Sequence, residues 1–522
     1  MNNKNLTIKE TFVSALENHQ KNFFKIAENL YKEILKVNPD HFESIFYLGT
    51  LLVQTQRFEL GKQLLHKATQ INPNYAAAHN NLGAALKELG EYQKAISYCQ
   101  KAIQIQPHLE SAHINLGLAF QELGEIHKAL NCYKKLSQIQ SNPGAAHYNL
   151  GRLYVTLGDI PKATNSYQEA LKHEPENLFY YYHLSDLKKE ILNSNLKNKI
   201  NKIMKKDNLT KKNFAYGKFL LSSYELQLKN YEKEFNYLLQ GHHYYFESEN
   251  DKFKRDVEYW LNVLPKTKEL VNLSKSNINI KKTNHILKPI FIVGVPRCGS
   301  TLIEKIIASG SQYIPIGEET GILSTYVKQK IIHKQSLNSE IEDSQIKLFG
   351  KYKERGLIQE KSNYTFTEKT LDNFFYIGLI KEIFPYAKVI NCKRSSIFSI
   401  MSILKNNLPA VPWAHNLEHI FKYFDIYYQM IENFKKTIPN FIYELEFEKL
   451  INDPENESKK IMKFCGLPWD VKCLEFYKRK DLISKTSSNL QIRKAIYKHS
   501  EKKYLPYKEF LKKYGDKYSW YN

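Results

Sequence analysis

Two patterns of apolar and polar residues divide the 522-residue chain into an N-terminal half and a C-terminal half. In the first half, apolar residues recur at helical spacing, which predicts consecutive helices packed against one another. In the second half, short apolar runs such as residues 290–293 alternate with helical patterns. A β-branched run of that kind suits a strand buried on both faces of a parallel sheet. The sequence therefore predicts an all-α part followed by an α/β part.

The helical half repeats with a period of 34 residues. Glycines keep this register at Gly49, Gly83, Gly117 and Gly151, and prolines keep it at Pro39, Pro73, Pro107 and Pro175. Small residues follow the glycines by twelve positions, at Gly61, Ala95, Ala129 and Ala163. This pattern resembles tetratricopeptide repeats, in which paired helices stack into a solenoid with a concave groove.

The register predicts five repeats, and the resemblance implies what they bind. The repeats are residues 7–40, 41–74, 75–108, 109–142 and 143–176, so the solenoid is expected to span residues 1–176. Such grooves commonly hold a peptide or a partner helix, and a protein or peptide partner is therefore expected. Near the inner helices lie asparagines that either contact a peptide or are solvated: Asn80, Asn81, Asn115 and Asn149.

The remaining chain is predicted to form a helical cap with a linker over residues 177–284 and an α/β domain over residues 285–522. Strands are expected at 290–293, up to Phe366, at 388–392 and at 441–445, with helices at 374–384, 397–405 and 417–436. This order predicts a parallel sheet flanked by helices, with the ligand at the carboxyl ends of the strands.

The loop after the first predicted strand suits a phosphate-like anion, because loop N–H groups and a helix N-terminus point at such a ligand. Gly294, Gly299 and Thr301 match the spacing of a nucleotide-binding P-loop, but Ser300 replaces its lysine. A kinase needs that lysine and a metal ion, whereas a sulfuryl group carries less charge and moves without a metal. The loop therefore favours a phosphosulfate donor, with a purely structural turn as the alternative.

The segment PRCGSTL at residues 296–302 resembles the 5′-phosphosulfate loop of sulfotransferases that use PAPS (3′-phosphoadenosine 5′-phosphosulfate). It is most similar to PRSGTTL of the protein-tyrosine sulfotransferases, and GEET at residues 317–320 strengthens that likeness. The resemblance implies a P-loop-like sulfotransferase domain with PAPS as donor, PAP as product and no metal. Within the loop, it implies donor contacts from Arg297, Cys298, Gly299, Ser300 and Thr301.

Further donor-binding residues follow in the order of the family. Arg394 and Ser402 have the eight-residue spacing at which the family holds the 3′-phosphate of the donor. The tail after Ser488 resembles the loop that folds over the adenosine, and the resemblance implies a donor contact there from Arg493 or Lys494, with Lys503 as a further candidate. The chain departs from the tyrosine-specific pattern at Asn406, Phe447, Ala495 and Tyr504, where the family has arginine, tyrosine, proline and tryptophan.

The resemblance also implies which groups carry out the reaction. Glu319 matches the general base that takes the proton from the acceptor hydroxyl, and Glu318 is the alternative. Lys369 matches the lysine that stabilises charge on the bridging oxygen, and Ser488 matches the serine paired with it. Arg297 is expected to act with them on the leaving phosphate. Adjacent acids are also typical of a helix start, which is the structural alternative for 318 and 319.

Composition adds few further constraints. The net charge of +22 favours anionic ligands, and because no nucleic-acid motif accompanies it, no nucleic-acid partner is expected. The six scattered cysteines form no CxxC pair, which is typical of reduced thiols in a cytosol. No stretch of about 20 apolar residues is present, so we expect a cytoplasmic protein without a membrane span. The oligomeric state is left open, with a homodimer among the options.

The sequence thus favours an enzyme that transfers a sulfuryl group from PAPS to an acceptor hydroxyl. GEET and the repeats favour a tyrosine in a protein or peptide held by the groove of the solenoid. Sulfation of a carbohydrate, lipid or small metabolite is the alternative within the same chemistry. A non-catalytic interaction scaffold is the alternative outside it.

Overall fold

The computed structural model describes residues 7–139, 143–267, 270, 287–332, 335–337, 341–479, 493–496 and 501–521. The chain divides into two compact units. The first comprises Met1–Tyr154 with Asn165–Glu174, and the second comprises Val155–Thr164 with Pro175–Asn522. The predicted fold class is confirmed, because a helical repeat array is followed by a domain with a parallel sheet flanked by helices.

Ten helices form five consecutive pairs that follow the predicted repeats. They are α1 Ile8–Gln20, α2 Phe24–Val37, α3 Phe42–Gln54, α4 Phe58–Ile71, α5 Ala76–Glu88, α6 Tyr92–Ile105, α7 Glu110–Glu122, α8 Ile126–Gln138, α9 Pro143–Leu157 and α10 Ile160–His173. The turn inside each pair contains one residue with positive φ, at Asn22, Gln56, Gly90, Gly124 and Gly158. These positions are also 34 residues apart, and they suit glycine and asparagine because a left-handed backbone is least strained there.

The glycines of the 34-residue pattern lie where the two helices of a pair touch. A Cβ added at Gly49 would lie 2.9 Å from Leu65 Cγ, and one at Gly83 would lie 2.6 Å from Cys99 Sγ. At Gly117, a Cβ would lie 2.7 Å from the ring of Tyr133. Each glycine therefore leaves room for a larger residue sixteen positions later, which sets the distance between the two helices.

Asparagines on the first helices of the repeats bond to one another or to their own array. Asn81 Nδ2 donates to Thr50 Oγ1 at 3.0 Å, and Asn115 Nδ2 donates to Asn80 Oδ1 at 2.9 Å. Asn149 Nδ2 donates to the carbonyl of Ala145 at 3.0 Å. The first two bonds link neighbouring repeats, so part of the asparagine pattern is explained by the structure of the array itself.

The second unit starts with helices that precede the sheet. They are α11 Leu178–Leu187, α12 Ser194–Ile203, α13 Lys211–Gln227, α14 Tyr231–Ser248 and α15 Asn250–Glu258, followed by one π-helical turn over Tyr259–Val263. A buried ion pair joins α14 to the sheet domain, because Lys405 Nζ lies 2.7 Å from Glu234 Oε1. The same lysine donates to the Tyr507 hydroxyl at 2.7 Å, and that hydroxyl donates to Glu234.

The sheet has four parallel strands in the order β2-β1-β3-β4. The strands are β1 Lys288–Gly294, β2 Thr365–Glu368, β3 Lys388–Lys393 and β4 Ile442–Glu446. Residues 290–293 of β1 are at most 1% exposed, as expected for a central strand covered on both faces. Strand β2 extends two residues beyond the predicted end at Phe366, because its pairing with β1 runs to Glu368.

Helices connect the strands and pack on the faces of the sheet. They are α16 Ser300–Ala308, α17 Ile322–Ile332, α18 Ile341–Glu354, α19 Ile377–Ile383, α20 Ser396–Asn406, α21 Leu417–Thr437, α22 Phe447–Asn452, α23 Pro454–Cys465 and α24 Lys508–Gly515. The helix predicted over 374–384 is shorter than expected, because its first part is a 3₁₀ segment, Leu371–Tyr376. That segment follows the carboxyl end of β2 and begins at the candidate site described below.

Candidate active site

The loop between β1 and α16 is shaped by residues with unusual backbone angles. Gly294, Arg297 and Gly299 have φ values of 155°, 72° and 104°. A Cβ on Gly299 would overlap the ring of Phe447, which packs over the loop. Glycine is therefore required at 299 on two grounds, the backbone angle and the contact with the ring. The loop turns sharply into the N-terminus of α16, where Ser300 and Thr301 are buried.

Two half-buried arginines meet at this loop. Arg297 Nε donates to Ser402 Oγ at 3.0 Å, and Arg394 Nη1 donates to the carbonyl of Arg297 at 3.1 Å. The Arg394 guanidinium lies 4.3 Å from the centroid of the Phe447 ring. Burial lowers the pKa of both arginines, and the charge of Arg394 lowers that of Arg297 further. The site therefore concentrates positive charge where an anionic ligand would relieve it.

The wall beyond the loop carries an acid and a lysine in contact. Lys369 Nζ lies 3.0 Å from Glu319 Oε1, and the lysine is fully buried while the Glu319 side chain is 53% exposed. Burial opposes the charged form of Lys369, but Glu319, Glu304 and Glu318 together raise its pKa above the ordinary value. Lys369 is therefore held as an ammonium group that bonds to the accessible carboxylate of Glu319.

The alternative base, Glu318, is in a different environment. Its carboxylate lies 3.7 Å from the buried ammonium group of Lys305 and is only 12% exposed. Its backbone N–H donates to Glu304 Oε1 at 3.1 Å, and its carbonyl accepts from the Lys369 N–H at 2.7 Å. The structure thus places Glu319 on the accessible wall and Glu318 behind it.

A cavity of about 490 Å³ joins these groups. Its charged lining residues are Arg297, Glu319, Asp372, Arg394 and Lys494, and Gly299, Ser300 and Thr301 also line it. Apolar walls come from Leu371, Trp260 and the segment 408–413. A cavity of this size fits a ligand of drug-like dimensions with a few polar groups that fix its orientation.

Several residues predicted from the sequence do not line this cavity. Cys298 is buried beneath the loop. Ser402 bonds to Arg297 and Lys369 bonds to Glu319, so these two residues are linked to the cavity by a neighbour that lines it. Arg493 Nη2 donates to the carbonyl of Thr156 at 2.6 Å, whereas its neighbour Lys494 lines the cavity. Lys503 lies 5.1 Å from the centroid of the Tyr504 ring. Ser488 lies outside the described residues.

Comparison with known proteins identifies the parts of the chain. Residues 289–471 match the model of the sulfotransferase family, and residues 76–109, 110–143 and 144–177 match models of the tetratricopeptide repeat. The chain carries tetratricopeptide repeats and a sulfotransferase domain. The sulfotransferase domain contains the whole loop, both arginines, Glu319 and Lys369, whereas the tail with Arg493, Lys494 and Lys503 lies beyond the match.

Similar proteins cover parts of the chain. An uncharacterized protein of Aquifex aeolicus (strain VF5) is 29% identical over 315 residues, which cover 57% of this chain and 40% of that protein. Among solved structures, MamA is 27% identical, and the match covers 31% of this chain and 94% of the MamA chain, with a TM-score of 0.29. TTC0263 of Thermus thermophilus, a tetratricopeptide-repeat protein, is 19% identical and covers 35% of this chain and 98% of its own, with a TM-score of 0.31.

Two buried acids, Glu304 and Glu368, and the half-buried Asp372 are not among the residues predicted from the sequence. Burial raises the pKa of Glu304 to about 6 and of Asp372 to about 7, and it also raises that of Glu368. Glu304 and Glu368 bond to threonines, since Glu304 accepts from Thr367 at 2.8 Å and Glu368 accepts from Thr320. The sequence does not mark Asp372, because Thr370 and Asn373 beside it are also polar.

The described part of the chain contains no group of three or more His, Cys, Asp or Glu residues suited to a metal ion. No helix within the same residues is long and apolar enough to cross a membrane.

Proposed function

We propose that the sulfotransferase domain transfers a sulfuryl group from PAPS to an acceptor hydroxyl. The observation that carries this proposal is one cavity lined by two half-buried arginines and by Glu319, whose carboxylate bonds to the buried Lys369. The arginine end suits an anionic donor, and the acid on the wall suits removal of a proton from an acceptor. The match to the sulfotransferase family supports the same chemistry.

The residues present fit such a donor. Arg394 Nε is shielded from solvent and has no hydrogen-bond partner among the described residues, so it has a donor to spare for an anion. Gly299 lets the loop pass closely under the Phe447 ring, in a space that any side chain would fill. In this proposal the loop from Arg297 to Thr301 holds the 5′-phosphosulfate, and Arg394 with Ser402 holds the 3′-phosphate. Lys494 contacts the donor from the tail.

Each catalytic group has a task that its surroundings support. PAPS supplies an activated sulfuryl group when it is bound. Glu319 takes the proton from the acceptor hydroxyl, and its contact with Lys369 orients its carboxylate. Lys369 stays protonated and supplies positive charge where charge develops on the bridging oxygen. Arg297 stabilises the leaving phosphate, because Ser402 fixes its guanidinium at the loop.

We propose tyrosine in a protein or peptide as the acceptor, held by the tetratricopeptide repeats. The GEET segment at residues 317–320 supports this assignment, and the repeats support a role in protein interaction. The same cavity chemistry also applies to a hydroxyl of a sugar, lipid or small metabolite. Incubation of labelled PAPS with a cell lysate and the protein distinguishes these acceptors by whether label enters protein, glycan or lipid.

Calorimetric titration of the full chain with PAP, and separately with ATP and magnesium, tests the donor site. We expect PAP to bind without magnesium and more tightly than ATP, because the loop lacks the lysine of a nucleotide-binding P-loop. Arg394→Ala should weaken PAP binding at least about tenfold, since a charge-assisted bond to phosphate is lost. Arg255→Ala, on α15, is a matched control that should leave PAP affinity unchanged. Absence of PAP binding by the folded protein, or tighter binding of ATP with magnesium, contradicts the proposal.

A further inference from the structure

The cavity of the sulfotransferase domain has charges of opposite sign in different parts. Its positively charged lining residues, Arg297, Arg394 and Lys494, come from the anion-binding loop, the end of β3 and the tail. Its negatively charged lining residues are Glu319, in the GEET segment, and Asp372, in the 3₁₀ segment after β2. The positively charged residues suit an anionic donor, and the part of the cavity lined by the negatively charged residues remains for an acceptor. The proposed mechanism uses Glu319 but gives no role to Asp372.

The side chain of Asp372 is half-buried, and its carboxyl group is incompletely bonded. Its Oδ2 is shielded from solvent and has no hydrogen-bond partner in the part of the chain that the structure describes. The Ser324 hydroxyl, which lies near this carboxyl, donates instead to the carbonyl of Gly321 at 3.1 Å. A buried carboxyl oxygen without a partner is costly, and a ligand that donates to it would remove that cost.

The groups around Asp372 add negative charge rather than balance it. Burial raises the pKa of Asp372 to about 7, and the nearby carboxylates of Glu368 and Glu319 contribute to the rise. The other neighbours are the phenols of Tyr259, Tyr376 and Tyr423, whose pKa values burial raises, so they stay neutral. The ammonium group of Lys369 is bonded to Glu319. The part of the cavity near Asp372 therefore lacks a balancing positive charge, which a cationic group on the ligand would supply.

The walls near Asp372 define the rest of the ligand. Leu371, Val411 and Pro412 line the cavity together with the aromatic rings of Trp260 and Trp413. Trp413 is itself held in place, because it stacks on Tyr423 with ring centroids 3.7 Å apart. An apolar body that carries one cationic group would match both the walls and the carboxyl.

We propose that Asp372 selects acceptors that carry a protonated amino group, which forms an ion pair with its carboxylate while the acceptor hydroxyl faces Glu319. This inference rests on the proposed sulfuryl transfer and specifies its acceptor. For a tyrosine acceptor, it means a phenol with an ammonium group attached to the same small unit or supplied by a basic neighbour. Asp372 is a specificity-determining residue in this scheme, and the proton transfer stays with Glu319.

The test compares acceptors that differ only in the amino group. Tyramine and 4-ethylphenol form one pair, and glucosamine and glucose form the other, each measured for turnover with PAPS and for binding by calorimetry to the PAP-loaded full chain. Wild type should favour the amine of a pair at least about tenfold, because an unpaired buried carboxyl discriminates against the analogue that lacks the charge. Asp372→Asn should abolish this preference, because kcat/KM for the amine should fall to about the value for its neutral partner.

Two variants separate the charge of Asp372 from a structural effect. Asp372→Glu keeps the charge and should retain part of the preference for the amine. Asp343→Asn makes the same chemical change at an exposed position of α18 and should change nothing. The inference is overturned if wild type treats both members of each pair alike, if neither amine binds, or if Asp372→Asn keeps the preference. PAP affinity, measured in the same samples, shows separately whether the donor proposal stands.

The preference should also depend on pH with a definite sign. Above pH 7 the Asp372 carboxyl is mostly ionised and can pair with an ammonium group, whereas below pH 7 it becomes neutral and the pair is lost. The ratio of kcat/KM for tyramine and 4-ethylphenol should therefore fall as the pH is lowered from about 8 to about 6. In Asp372→Asn the ratio should be flat over this range. A ratio in wild type that does not change with pH counts against the proposed ion pair.

Discussion

At the scale of single residues, two adjacent glutamates lie in clearly different surroundings. Glu319 is accessible from the cavity and bonds to Lys369, whereas Glu318 faces the buried Lys305. The sequence alone does not show which of two neighbouring acids faces the cavity, because either carboxylate is close enough along the chain to reach the same acceptor hydroxyl. The difference arises from the backbone, since Glu318 has a φ of 51° and its side chain turns away from the cavity wall.

Glu319→Gln should reduce turnover by about 10² to 10⁴, because the amide cannot accept the proton of the acceptor. PAP affinity should be retained, since the arginines that hold the donor are unchanged. Steady-state kinetics with PAPS and calorimetry with PAP measure the two effects. Glu318→Gln is the matched control and should keep most of the activity. Equal activity of Glu319→Gln and wild type removes Glu319 from the role of base.

Gly299→Ala should weaken PAP binding at least about tenfold, because the new Cβ overlaps the Phe447 ring and the backbone there has a φ of 104°. The loop must shift to accommodate the methyl group, and it loses its position under the ring. Gly350→Ala, on α18, is a suitable control, since a methyl group at that position would meet nothing within 4 Å apart from its chain neighbours and the backbone of its own helix. PAP affinity of Gly299→Ala equal to wild type shows that the loop tolerates a side chain at this position.

At the scale of secondary-structure elements, the sequence predicts the parts with a strong period and misses those without one. The repeat helices are predictable because glycine and alanine recur wherever two helices touch, and the strands because apolar β-branched runs mark buried strands. The 3₁₀ segment Leu371–Tyr376 is missed, because apolar residues at helical spacing also fit a tighter helix. The charge of Asp372 becomes informative only once that segment has placed it at the cavity.

An ion pair between α2 and the start of α4 makes the stability of the array depend on pH. Glu28 accepts from both terminal nitrogens of Arg57, at 2.8 and 2.7 Å, and this bond lowers its pKa to about 2. Because the folded-state pKa lies below the ordinary 4.5, the stabilisation is complete above pH 4.5 and is lost as the pH falls towards 2. Glu28→Gln should therefore lower the midpoint of denaturant unfolding at pH 7 but bring little further loss near pH 2.

Measurement of that midpoint for both proteins from neutral pH down to about pH 2 tests this prediction. The difference between wild type and Glu28→Gln should shrink as the pH falls through 4.5. Glu17→Gln is a control, because its carboxylate lies 3.9 Å from Lys21 and both side chains are more than half exposed. A difference between wild type and Glu28→Gln that is constant with pH shows that the Glu28 carboxylate is not stabilised by Arg57.

At the scale of the whole molecule, two compact units within one chain predict two unfolding transitions in a calorimetric scan. The proposed donor site lies entirely in the second unit, so PAP should shift only the transition of that unit. At a PAP concentration about one hundred times its Kd, the expected stabilisation is about 2.7 kcal/mol. Arg394→Ala should reduce this shift at the same PAP concentration. A single transition, or a shift of both transitions by PAP, shows that the unfolding of the two units is coupled.

The candidate site as a whole is only partly predictable. The loop, Arg394, Ser402, Glu319 and Lys369 are predicted from the resemblance to the sulfotransferase family, and they lie together at the carboxyl ends of β1, β2 and β3. Arg493 bonds to Thr156 and does not line the cavity. The position of its side chain depends on the path of the tail, which the sequence does not predict. The predicted role of Arg493 in donor binding, like that of Ser488, stays a prediction.

The glycine contacts of the repeat array have a consequence for how such a gene can change. Gly49, Gly83 and Gly117 each pack against a residue sixteen positions later, which belongs to the same 34-residue unit. A duplication or deletion of one complete 34-codon unit therefore keeps the two residues of each pair together, whichever unit is affected. The array can gain or lose a unit through recombination without a mismatch in these contacts, so its length can evolve independently of the transferase chemistry.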